Sequence, residues 1–126
     1  MHELSIAMSL IEAACEEAAR QGKEGEVRVE ALHLRLGALS GVVREALEFS
    51  FDLAAAGTAI EGARLQIEEI PVAVLCPRCG ERQLPSLQHF RCPDCDTPTP
   101  EVVRGRELEL TALEISEKPE NAVQDR

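Results

Sequence analysis

The chain has no tryptophan, no tyrosine and only three phenylalanines, so any core it builds is aliphatic. The scarcity of aromatics also removes the flat side chains on which single-stranded bases stack. Basic residues are short as well: 13 against 23 acidic ones, a net charge of −10. That balance repels phosphate backbones and argues against a nucleic-acid surface. No apolar run reaches membrane-spanning length, and the start, Met1-His2-Glu3, lacks the basic residues of a signal peptide, so neither a membrane nor an export route is expected. There is no Gly-x4-Gly-Lys-Ser/Thr loop, so any nucleotide hydrolysis belongs to a partner. Three scattered histidines, His2, His33 and His89, do not make a nucleophile–base–acid set, and the chain does not read as an enzyme.

What the chain does have is five cysteines, four of them in one pattern: Cys76-Pro77-Arg78-Cys79-Gly80, then twelve residues, then Cys92-Pro93-Asp94-Cys95. Each Cys-x2-Cys turn aims two thiolates at one point, and two such turns supply the four soft ligands of tetrahedral zinc. Gly80 suits the left-handed step that closes such a turn, and Pro77 and Pro93 each fix one dihedral inside a turn. Two disulfides or a thioredoxin-like redox pair are the alternative, but a redox motif needs one pair, not two at ribbon spacing. Four protein ligands leave no open position, so the zinc is structural. Free thiols in metal spacing fit a reducing cytoplasm. His89 lies between the two turns, and with four thiolates already present it reads as a hairpin surface residue.

Around the ribbon the pattern is α+β. Residues 4–21 form an amphipathic helix with Leu4, Ala7, Met8, Ile11, Ala14, Cys15 and Ala18 on one stripe and Gly22 as its stop. Cys15 reads as a small buried hydrophobe. Glu12, Glu16 and Glu17 give the helix an acidic outer face suited to basic partners. Val27 to Leu36 alternates as a strand, with a bulge or two-sided burial between Val29 and Leu32, and with His33 turned away from the leucines. A second helix runs from Val42 to Ala56, with Val43, Ala46, Leu47, Ser50, Leu53 and Ala54 on its face, Phe49 and Phe51 flanking it, and Gly57 as cap. Ala63–Ile70 and Glu107–Ile115 are two more strands, the last with a phase change before Leu113. The expected architecture is a small α/β sandwich of two helices on a three-stranded sheet, with the ribbon inserted on two short hinge segments. Ser116 onward is polar and has nothing to bury.

The chain resembles the HypA/HybF family of hydrogenase and urease nickel-maturation proteins. The resemblance rests on Met1-His2-Glu3, Leu36-Gly37-Ala38-Leu39-Ser40-Gly41-Val42, Leu47-x-Phe49-Ser50-Phe51, Glu61-Gly62-Ala63-x-Leu65-x-Ile67, the four-cysteine ribbon and Gly105-x-Glu107-Leu108, and covers residues 1–116. It implies a metallochaperone that carries Ni(II) on its terminus, at Met1, His2 and Glu3, and Zn(II) on Cys76, Cys79, Cys92 and Cys95. It further implies delivery to the large subunit of [NiFe]-hydrogenase, with urease as a second client, and a HypB-like nickel-maturation GTPase as partner. The domains are then 1–72 with 103–116 for nickel, 73–102 for zinc, and a disordered tail at 117–126, which the family lacks. A zinc-ribbon accessory module for nucleic acid or transcription is the other reading, and the charge and composition speak against it.

The terminus also makes chemical sense by itself. His2 is too large for Met1 to be trimmed away. The Met1 amine, the His2 and Glu3 amides and the His2 imidazole then offer four nitrogens in a plane, the geometry of Ni(II) or Cu(II). Amides at a helix start lack intrahelical partners and are free to exchange their protons for a metal. Affinity alone favours copper, so selectivity comes from metal supply and partners. Glu3 adds an axial carboxylate or caps the helix start.

Overall fold

A computed structural model describes residues 2–22 and 27–117. Helix α1 spans Glu3–Gln21, followed by strand β1 (Val27–Gly37), helix α2 (Arg44–Ala55) and strand β2 (Arg64–Ile70). The ribbon strands are β3 (Ala73–Cys76), β4 (Gly80–Gln83) and β5 (Val102–Arg104), and β6 (Leu108–Glu117) closes the chain. Two three-stranded sheets result, in the orders β2-β1-β6 and β4-β3-β5. This is the expected α+β plan: two helices, one sheet completed by the last strand, and a ribbon inserted before it. The end of β6 at Glu117 leaves the rest of the expected tail, 118–126, outside the described residues. Among the described residues no helix is long and apolar enough to cross a membrane.

Contacts divide the chain into two compact units. One comprises Met1–Leu34, Val42–Gln66 and Leu110–Arg126; the other comprises Arg35–Gly41 and Ile67–Glu109. The second unit therefore takes in the ends of β1 and β2 and the start of β6 besides the ribbon itself.

In the first unit α1 packs against α2, and each helix buries a stripe rotated from the one its sequence suggests. On α1 the buried residues are Ala7, Leu10, Ile11 and Ala14, while Leu4 and Met8 stay exposed. On α2 they are Leu47, Phe51 and Ala55, while Val43, Phe49 and Leu53 are exposed. The expected faces are thus corrected by a turn of each helix. Positions 47, 51 and 55 stack one above another, and this stripe lets the large ring of Phe51 enter the core. Gly57 takes the left-handed backbone expected after α2, with φ 79°. Gly22 ends α1 in extended backbone instead.

Strand β1 changes phase as expected: Val29 and Ala31 are buried on one phase, then Leu32, Leu34 and Leu36 on the other. Cys15 is half-buried, and burial pushes its thiol up. His33 is half-exposed, as its place opposite the leucines predicts, and its Nε2 lies 2.6 Å from Glu114 on β6.

In the second unit two glycines explain part of the sequence pattern. A methyl group on Gly37 would stand 2.2 Å from the Gly105 carbonyl, too close for any side chain. The tight approach lets the Gly37 amide donate to Glu107 at 2.7 Å and the Leu39 amide donate to Gly105 at 2.6 Å. Gly105 itself has φ 121° and lies against Val72. Gly37→Ala is expected to destabilise the protein by about 1–3 kcal/mol, the range for overpacking. A thermal midpoint unchanged by that substitution would contradict the close approach.

Candidate metal centre

The four ribbon cysteines converge. Their sulfur atoms all lie within 4.8 Å of one another, and Cys76 and Cys95 are 3.5 Å apart. Four sulfurs at about 2.3 Å from one zinc would sit about 3.8 Å apart, so little adjustment is needed to hold the ion. The local backbone is built for this twice over. Antiparallel pairing of β3 with β4 sets Cys76 opposite Gly80 and closes the first turn. In the second, the Cys92 amide donates to Thr97 and the Asp96 amide donates to Cys92, each at 2.9 Å. The amide two residues after the first cysteine of each pair, Arg78 and Asp94, points at that cysteine's sulfur at 3.4 Å. Such amides stabilise thiolate charge.

The residue after each pair is left-handed: Gly80 with φ 88° and Asp96 with φ 63°. Gly80 was legible as such. Asp96 was not singled out, although aspartate is among the residues that enter this region without a glycine's freedom. The signal was positional, since Asp96 follows Cys95 as Gly80 follows Cys79. The Arg82 guanidinium and Asp94 carboxylate, 2.6 Å apart, add a tie from β4 to the second turn.

Without metal the four thiols share their protons unevenly. The hydrogen bond with Cys95 is the main cause pushing the Cys79 thiol up to about 12. The Thr97 hydroxyl, 3.0 Å from the Cys95 sulfur, is the main cause drawing Cys95 down to about 6. One thiolate is thus prepared, and a metal entering the cluster displaces the protons held by the others. Supporting apolar packing is small: Val72, Val74 and Leu84, with Leu39, Phe90 and Val102 against them. His89 is exposed on the hairpin, as expected.

The other site predicted from the sequence is the amino terminus. Met1 lies outside the described residues. His2 is the N-cap of α1, with extended backbone and no capping bond from its imidazole, and it is exposed. Its carbonyl accepts the first helical bond, from Ile6 at 3.2 Å. The amides before Ile6 therefore have no carbonyl within the helix. The Glu3 carboxylate is engaged elsewhere than expected: it accepts the amide of Val43, the N-cap of α2, at 3.2 Å. That bond is the main cause holding the Glu3 carboxyl below its usual range, with its own amide second. A lowered carboxyl favours this tie above the ordinary carboxylate range and loses it in acid. The starts of both helices are thus joined through Glu3.

Comparison with known proteins agrees with both sites. The family model for hydrogenase/urease nickel incorporation, metallochaperone, hypA matches residues 1–115. The chain belongs to the HypA family. The hydrogenase maturation factor HypA of Roseiflexus sp. is 55 % identical over 118 residues, covering 93 % of this chain and 94 % of its own. The HypA factor of Deinococcus radiodurans is 44 % identical over 110 residues, 87 % of this chain and 89 % of its own. Among solved structures, a HypA protein in solution shares 25 % identity with a TM-score of 0.63, over 92 % of this chain and 97 % of that one. The Ni metallochaperone HypA from Helicobacter pylori, at 24 % identity and a TM-score of 0.59 over 94 % and 100 %, shares the fold.

Proposed function

We propose that the chain is a nickel metallochaperone of the cytoplasm. It binds Ni(II) through the Met1 amine, the His2 and Glu3 amides and the His2 imidazole, and delivers it during [NiFe]-hydrogenase maturation. The family match over residues 1–115 carries this reading. The start of α1 supports it, because the His2 ring makes no capping bond and the Glu3 amide has no carbonyl partner in the helix. Nickel is cargo, so the chain itself needs no catalytic step; a HypB-like GTPase supplies nucleotide hydrolysis, and the hydrogenase large subunit receives the metal. Urease is a second client of the same chemistry. Zn(II) on Cys76, Cys79, Cys92 and Cys95 is structural, since four thiolates complete a tetrahedron and leave no position for substrate.

The test replaces the native protein in cells by His2→Gln. Glutamine is large enough to keep Met1 in place, so only the imidazole is lost. Hydrogenase purified from these cells is expected to carry little nickel, while the variant keeps its zinc. Hydrogenase with full nickel content would overturn the reading.

A further inference from the structure

Five large apolar side chains of the first unit lie in water on the two helices: Leu4 at 50 % exposure, Met8 at 58 %, Val43 at 56 %, Phe49 at 66 % and Leu53 at 59 %. They are the residues left over when each helix turns its other stripe to the core. They are also grouped. The Glu3–Val43 bond sets Leu4 beside Val43 at the starts of the two helices. Further along, a groove of about 500 Å³ runs between α1 and α2, with Met8, Ile11 and Glu12 on one bank and Ala54 and Thr58 on the other. Leu53 adjoins Ala54 on the second bank, and Phe49 lies one turn before it. A contiguous exposed apolar surface of this kind marks an interaction site.

We infer that this groove docks an amphipathic helix of another protein, one with large apolar side chains at i, i+3 and i+4 and with lysine or arginine flanking them. The width between two helices and the paired i, i+4 spacing of Leu4 with Met8 and Phe49 with Leu53 fit helix-in-groove recognition. Charge selects the flanks: Glu12 lines the groove, Glu16, Glu45 and Asp52 are exposed on the same helices, and no cation lines it. A second copy of this chain would bring the same carboxylates against them, at a net charge of −10 each. The docking goes beyond the nickel reading and does not depend on it.

The probe is a fluorescent synthetic helix of leucine and lysine, with leucine at i, i+3, i+4 and i+7. Its control is a scrambled peptide of the same composition. Binding to the full chain is followed by anisotropy. The Phe49→Ala/Leu53→Ala double variant is expected to bind the patterned helix at least about tenfold more weakly, a loss typical of interface anchors. Met8→Lys on the facing bank is expected to do the same through charge repulsion. All of these positions are exposed, so helix content and nickel titration should be unchanged. Equal binding of patterned and scrambled peptides, or wild-type affinity in both variants, would overturn the inference. A wild-type dimer in sedimentation equilibrium that the double variant loses would overturn it in favour of a second copy. Loss of docking with nickel binding intact refutes only this inference; the converse refutes only the metal reading.

Discussion

Cys92→Ala is expected to release the zinc and unfold the ribbon while the helices of the first unit stay folded. Cys92 is buried, so no water-exposed group nearby can replace its thiolate. Three remaining sulfurs leave the tetrahedron open, and structural zinc in small thiolate sites contributes on the order of 10–16 kcal/mol at neutral pH. Apolar packing cannot make up that loss. The fully buried hydrophobic cluster there is Val72, Val74 and Leu84, and the partly buried Leu39, Phe90 and Val102 complete it. A segment this small without metal or disulfide falls below the size at which a core sustains itself. The first unit has its own buried set on α1 and α2, so its helical signal should survive. Elemental analysis gives the metal, and hydrogen exchange gives the local folding. One tightly held zinc per chain in the variant would refute the assignment, as would full exchange protection from Ala73 to Val102.

Nickel binding is expected to rise steeply with pH. Three of the four proposed donors carry a proton that the metal must displace: the ammonium of Met1 and the amides of His2 and Glu3. Below the range of a free α-amine, near about 8, each unit fall in pH should therefore weaken binding by up to about three decades. A site of ordinary side chains would lose far less. The Glu3 amide has a further competitor, the carboxylate of its own side chain, which holds it as a hydrogen-bond donor. His2→Gln removes the imidazole without exposing Met1 to trimming, and should weaken nickel by at least about a hundredfold with the zinc retained. Titration across pH in two buffers of different ionisation enthalpy counts the protons directly. Release of fewer than two protons per nickel would contradict amide ligation.

How much of this could be read in the sequence depends on the range of the interaction. The ribbon was legible because its ligands come in local turns whose spacing is fixed by the chain itself. Gly80 announced one left-handed step, but Asp96, its counterpart, hid among ordinary turn residues. The strand phase changes were legible for the same local reason. Helix faces were harder. Leu4 and Met8 fit an apolar stripe as well as Leu10 does, and only the packing against α2 decides which stripe is buried. The same holds for Phe51, which enters the core where Val43 and Leu53 were expected. The tie from Glu3 to Val43 joins residues forty positions apart and follows from the packing of two helices, so no local pattern carries it. His2 and Glu3 were singled out through resemblance, since an exposed terminus looks the same whether or not it binds metal.

The most direct test of the nickel site is isothermal titration of Ni(II) into zinc-loaded protein carrying two extra residues ahead of Met1. The extension keeps every side chain but turns the amine into an amide and displaces the chelate. The account predicts a loss of affinity of at least about a hundredfold, with zinc content and helix content unchanged. Full nickel affinity in the extended protein would contradict amine-and-amide ligation at the terminus.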